Sequence, residues 1–420
     1  MNILLLVAVL FPIPVLALLR SLRPATLRWL ALAATLPMIG LALERWFYWA
    51  QHGTLSDSRV ISVLIILFSA TFVYRWLRPS SSFSSRPSIL LLLVTFVILL
   101  QSHVSSIPAI VLLANLPALL VHRLSPHPAD NEARPHVFIF HRLPRFSSGL
   151  VVPTSILAAF SVLAAIFIHA SAQQSPSFVS GAALGVVVAV LIWQILLLLM
   201  SGQPTSRADG IKSAQNSGNL TWLLQRQIRL ASVLAVCLSL FYLRFAIQRS
   251  LFALSIMVVL SSCTLMVTGA LMLMERSVLR ILSLMEYFWV AVLLAAFCIP
   301  ERHSAVLLGA ILISLAIEMA ADCWITSLLS ASIGTQLDLD SIIGWRFSHP
   351  WTATCLGILI LVMQFLPAMP AFHFLMIILS ALFVHHEWLA ILILTVNGSM
   401  LTTAFRLLGA MYSKPCNSKT

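Results

Sequence analysis

Continuous apolar runs long enough to cross a bilayer recur along the whole of this 420-residue sequence. They fall at about 2–19, 29–48, 60–77, 87–102, 107–121, 149–171, 178–200, 230–247, 251–273, 281–299, 304–322, 351–367, 371–386 and 388–410. A helix needs about 20 apolar residues to span hydrocarbon. The spacing therefore predicts 14 crossings, with 87–102, 107–121 and 371–386 the shortest. Backbone amides in lipid must be satisfied within their own segment, which helices do; the runs are continuous rather than short and alternating, so a β-barrel is excluded. Composition agrees, with 60% hydrophobic and 9% charged residues, against about 25% charged in a soluble domain. The expected fold class is all-α: a polytopic membrane protein of about 14 helices forming one transmembrane domain over 1–420. The first run lacks a basic n-region and an A-x-A-like cleavage site, so it reads as a retained span.

Orientation follows from the 25 Lys and Arg residues. With the N-terminus outside, 17 of them fall in cytoplasmic connectors and 8 on the outer side. Cytoplasmic loops concentrate basic residues, so the count predicts both termini outside a bacterial cytoplasmic (inner) membrane. The same rule accounts for the net charge of +12 without nucleic acid as a partner. Six scattered cysteines show no CxxC and no histidine at ligand spacing, so no disulfide framework, zinc site or iron–sulfur site is expected. A Walker A loop, GxGxxG and HExxH are all missing from the sequence, and no cofactor or metal is expected.

Ionisable residues inside a span are costly and mark functional candidates. Asp57, Glu44 and Arg45 sit at span ends and can stay hydrated. Glu286 lies about one turn inside the tenth span; it is either functional or one of a helix-end charge cluster with Glu275, Arg276 and Arg280. Glu318 and Asp322 are spaced i, i+4, so both lie on one face of the eleventh span. Two such carboxyls either share a proton as a relay or anchor an arginine from a neighbouring helix. His373 follows Pro367 and Pro370, which interrupt an apolar segment. Interrupted helices free carbonyls that line ion paths, whereas a lone histidine is also an ordinary core residue.

Residues 212–222, Lys-Ser-Ala-Gln-Asn-Ser-Gly-Asn-Leu-Thr-Trp, resemble the KSAQ-x-P-x-x-TWL stretch of the antiporter-like membrane subunits of respiratory complex I and related membrane-bound hydrogenases, nearest the subunit L type. Further segments match in order. Ser56-Asp57-Ser58 looks like D-G-L-S, 275–286 like D-x-K-R-L-L-A-Y-S-S-I-x, and Leu366-Pro367-Ala368 like G-L-P-P-F. His349-Pro350 matches the connector before helix twelve, and Arg406 and Tyr412 match the final helix. The resemblance covers about 50–412 and implies 14 helices, two inverted repeats with broken helices, and a central polar axis conducting protons or other cations. Lys212 falls on a lysine that family members place at a broken seventh helix, where it takes part in proton transfer. Glu286 matches a glutamate of hydrogenase-linked members. Asn115 falls where a proton-carrying glutamate is expected, and an amide cannot titrate. Glu318 and Asp322 replace two basic positions, and His373 stands near an expected lysine or glutamate. Lys212 is the only lysine before residue 414.

The resemblance thus implies a non-redox membrane subunit of a multisubunit NADH-quinone oxidoreductase-like or hydrogenase-like assembly, embedded in lipid among other membrane and peripheral subunits. Its proton-path candidates are Lys212, Glu318, Asp322, Glu286, His373 and Asn115. Two alternatives remain open at this point: the proton-driven membrane subunit of a two-component inorganic-carbon uptake system, and a non-conducting membrane scaffold.

Overall fold

An apolar chain in lipid gains nothing by burying one greasy face and exposing another, because the solvent is as apolar as leucine. Helix Val151–Ser171, in the computed structural model of the protein, shows the result. Its inward face carries Ala158, Ser161, Ala165 and Ile168, and its outward face carries Ile156, Phe160, Leu163 and Phe167. Both sets recur at helical spacing. What separates them is size and polarity: small residues and a hydroxyl point in, bulky ones point out to lipid.

The structure describes residues 106–124, 151–171, 178–200, 218–299, 338–363 and 370–413, together with Leu308, Ile311, Leu312, Leu315 and Met319. Their helices are α1 (Ile107–Leu124), α2 (Val151–Ser171), α3 (Phe178–Met200), α4 (Gly218–Tyr242), α5 (Arg244–Arg249), α6 (Leu251–Met274), α7 (Val278–Ala296), α8 (Trp345–Ser348), α9 (Pro350–Met363), α10 (Pro370–His385) and α11 (Glu387–Tyr412), with a 3₁₀ turn at Leu339–Ile342. Among the described residues the only strand-like pairing is the bridge between Ser277 and Asp338. The all-α membrane fold is borne out. The 24 residues of α6 make a helix of about 36 Å, enough for hydrocarbon about 30 Å thick.

One layer is α1, α2 and α3, with α4 against α1 and α3; a second is α6, α7 and α11. Helices α3 and α6 join the layers, and their contact has a sequence cause. Gly181 and Gly185 form a small-xxx-small pair on α3, which lets backbones approach closely. A Cβ on Gly185 would lie 2.4 Å from Phe252 on α6, and one on Gly181 would lie 3.2 Å from Ser250 Oγ. Helix α7 is the centre: every residue from Ile281 to Ala296 is buried, as expected of a helix apolar on all sides. Leu308, Ile311, Leu312, Leu315 and Met319 are also buried, at helical spacing.

Two expectations change. The connector expected over 201–229 is helical from Gly218 onward. Gln225, Arg226, Gln227 and Arg229 interrupt the apolar run but are good helix formers, and inside a bundle they need no apolar run to stay helical. The second change concerns direction. A Cβ on Gly269 would lie 3.0 Å from Val396, Thr403 Oγ1 donates to Met272 O (3.2 Å) and Arg406 Nη1 donates to Leu273 O (2.9 Å). Residue numbers rise together, so α6 and α11 are parallel. Leu339 N–H donates to Arg276 O (3.0 Å) and Gly344 N–H to Ala410 O (3.1 Å), which ties the end of α11 to the α6–α7 turn.

In a scheme of 14 alternating crossings the ninth and fourteenth spans would be antiparallel. The structure gives the reason they are not. Pro350 begins α9 at the tied end, and His385 closes α10 at the opposite end, where α11 starts. The two expected spans at 351–367 and 371–386 therefore make one net crossing. Their described parts, 14 and 16 residues, are about 21 and 24 Å long. Consequently the C-terminal end of α11 lies at the same end of the bundle as Arg276, Arg280 and Arg346, not opposite them.

Candidate functional site

Buried polar groups in this bundle fall into a neutral set and a charged set. The neutral set joins three helices. Asn115 on α1 donates from Nδ2 to Val111 O (2.7 Å) and to Ser161 Oγ on α2 (3.0 Å). Its Oδ1 accepts from Gln194 Nε2 on α3. Ser161 passes its own proton to Ala158 O (2.8 Å). Exposure is 2% for Asn115, 0% for Ser161 and 2% for Gln194. Both N–H donors and the oxygen of Asn115 are thus occupied, which is what a buried amide requires. Gln194 Oε1 is buried and has no hydrogen-bond partner.

The charged set centres on α7. Glu286 is 1% exposed in the most enclosed helix of the structure. A bare carboxylate there would be costly, so the group either carries a proton or meets positive charge. The expected charge cluster does not include it. Glu275 takes Arg280 Nη1 at 3.3 Å and accepts the N–H groups of Arg276 and Ser277, both at 3.2 Å. Glu286 lies six residues further on, about 9 Å along the axis. Next to it, Tyr287 donates to Leu196 O on α3 (3.0 Å), two residues from Gln194, so the neutral and charged sets lie on adjoining helices.

Two arginines are buried as well. Arg229, expected in a connector, lies within α4 and is 8% exposed. Arg244 sits just past the break at Leu243 between α4 and α5. Its guanidinium lies 4.3 Å from the ring centroid of Phe241 and 4.5 Å from that of Phe245, and Nη1 donates to Phe241 O (3.1 Å). Stacking on two aromatic faces suits a planar, weakly hydrated cation.

Of the residues singled out from sequence, Asn115 and Glu286 are placed by the structure, on α1 and α7. His373 lies on the α10 backbone, but its side chain is outside the described residues. So are Lys212, Glu318, Asp322, Asp57, Glu44 and Arg45. The structure adds Ser161 and Gln194. Reading only ionisable groups passes over both, although a single amide in the run Ile192-Trp193-Gln194-Ile195-Leu196 was a visible signal. Among the described residues no group of three or more His, Cys, Asp or Glu is placed to hold a metal ion.

No protein-family model and no curated protein matches the chain. Solved structures do match. One chain of the membrane-bound sulfane sulfur reductase, an archaeal respiratory membrane complex, superposes with a TM-score of 0.74 at 12% identity, over 98% of this chain and 88% of that one. A chain of respiratory complex I from Thermus thermophilus with bound aureothin gives 0.65 at 14% identity, over 98% and 90%. A chain of the same organism's complex I with bound NADH gives 0.58 at 15% identity, over 99% and 90%. This chain has their fold. It is the fold of the membrane subunits of such assemblies, in agreement with the resemblance carried by residues 212–222 and the ordered matches after them.

Proposed function

We propose that the chain is a membrane subunit of a multisubunit respiratory assembly and that it conducts protons, or another cation, along a buried polar axis in which Glu286 carries the charge. The observation behind this reading is a carboxyl group, 1% exposed, at the middle of the central helix of a fold shared along 98% of the chain with a respiratory membrane complex. Intramembrane acids cost too much to persist without use or a partner. Lys212, Glu318, Asp322 and His373 are the further members that the sequence resemblance offers. Partner subunits, rather than this chain, would hold the redox centres.

The hydrogen-bonded Asn115 supports the second reading, a membrane scaffold, because an amide held on both N–H groups does not titrate. One experiment separates the two. The assembly is purified in mild detergent, its subunits identified, and proton uptake measured in vesicles. Glu286→Gln is expected to lower flux at least about tenfold, equivalent to about 1.4 kcal/mol in the barrier, while subunit composition stays unchanged. Unaltered flux in that variant removes Glu286 from the path. Absence of flux in the unaltered assembly leaves the scaffold. Co-purification with a zinc-bearing partner, and with no oxidoreductase subunit, would point instead to inorganic-carbon uptake.

A further inference from the structure

We propose that the Asn115–Ser161–Gln194 clasp closes the α1–α3 layer to protons, so that between the two described layers charge crosses through the one that holds Glu286. The proposal rests on the conduction reading for its second half only.

A proton relay needs a group that accepts on one side and releases on the other, with a lone pair and a rotor free to do so. The clasp has spare lone pairs but no group that both takes up and releases a proton. Asn115 donates twice and accepts once. Ser161 Oγ accepts from Asn115 while its hydrogen is held by Ala158 O, so turning that hydroxyl breaks a bond before it makes one. Neither amide titrates. The unpartnered oxygen, Gln194 Oε1, is an amide acceptor, a site that orients a donor but does not store a proton.

The surroundings act in the same direction. Val111 and Ala114 on α1, Ala165 on α2 and Leu191, Ile192 and Ile195 on α3 are all fully buried around the clasp's positions. Bringing an extra charge into such packing without a partner is strongly unfavourable. Among the described side chains, the charged and titratable groups on these helices and on those packed against them are His169 on α2, Arg229, Cys237 and Tyr242 on α4, Arg244 and Arg249 on α5, Cys263 on α6, and Arg280, Glu286 and Tyr287 on α7. None of them hydrogen-bonds to the clasp. Their presence around a neutral centre makes it a barrier between charged regions rather than a member of a charged row.

Two variants of the full assembly in lipid vesicles test this. Asn115→Asp puts a carboxyl reporter of the same size into the clasp, and its C=O stretch reports protonation. Behind a closed barrier the acid stays protonated from about pH 5 to about pH 9 in the bulk, because ionisation in low dielectric is unfavourable. A carboxyl band that titrates with bulk pH shows that water and protons reach the clasp and overturns the proposal. The second variant, Asn115→Leu with Gln194→Leu, removes both amides together and strands neither. Proton flux within about twofold of the unaltered assembly is expected, whereas a fall of about tenfold with all subunits present would put the clasp in the path. If the unaltered assembly carries no flux, the conduction reading fails, and the infrared measurement still decides whether the clasp is closed.

Discussion

In α1–α3 the buried polar side chains bond chiefly to one another, Asn115 with Ser161 and Gln194. In α6 and α11 two of them reach across to a neighbour's backbone instead, Ser261 on α6 to Ala291 O on α7 (2.8 Å) and Thr403 on α11 to Met272 O on α6 (3.2 Å), while Ser262 and Thr264 donate within α6. The first arrangement fixes side chains against one another across three helices. The second pins helix backbones together with hydroxyls and does not draw on Glu286. A membrane bundle can thus be held rigid by neutral bonds in both layers, yet only one layer keeps an acid at its centre. Rigidity needs no titratable group, and on the conduction reading proposed above the two roles fall on different residues.

Three measurements sharpen or break that contrast beyond the flux tests. The largest expected effect is all-or-none and concerns how the second layer is built. The end of α11 lies on the side of Arg276 and Arg346, so Cys416, four residues further along the sequence, is expected to react from that side. Counting Arg406, Lys414 and Lys419 there changes the split of the 25 basic residues from 17 against 8 to 20 against 5, so the basic excess predicts that side as the cytoplasmic one. In cells whose only cysteine in this chain is Cys416, an impermeant maleimide should label it only after the membrane is opened; labelling of intact cells would reverse the direction of α11.

The next effect concerns the seam between the layers. Gly185→Leu would drive a side chain into Phe252, already 2.4 Å from an added Cβ. It should cost about 3 kcal/mol, at the upper end of overpacking penalties, read as earlier thermal unfolding in detergent. Unchanged stability would mean that the two layers are not packed through α3 and α6. The smallest effect is at the membrane surface. Glu275 and Arg280 are 21% and 28% exposed, and a pair that open to water contributes less than about 1 kcal/mol. Glu275→Ala should therefore leave both unfolding and proton uptake nearly as they were; a large loss would join this pair to Glu286 after all.

The all-α membrane bundle was legible in the sequence because lipid leaves the backbone no other economy: Leu251–Met274 and Glu387–Tyr412 announce themselves by length and apolarity alone. Glu286 was legible for the opposite reason, as an acid where acids are expensive. The direction of α11 was not, since 351–367 and 371–386 look like two spans until the contacts of Gly344 and Thr403 show where each end lies. Gln194 and Ser161 were equally hidden. A neutral residue costs little anywhere on a helix, and only three-dimensional neighbours reveal that it closes a clasp. Arg229 was misread as loop because charge breaks an apolar run without breaking a helix.

The stretch from Leu339 to Gly344 has a consequence of its own, set by length. It is bonded at one end to Arg276 O and at the other to Ala410 O, and five residue steps fully drawn out reach about 18 Å. It is therefore a tether. Helix α11 can shift along α6 only by the slack held in the 3₁₀ turn Leu339–Ile342 and in the left-handed bend at Gly344 (φ 70°). Any longer excursion has to give up one of the two bonds. The travel of the last helix past the first helix of its layer is thus limited by the chain itself, from within one short segment at the bundle's edge.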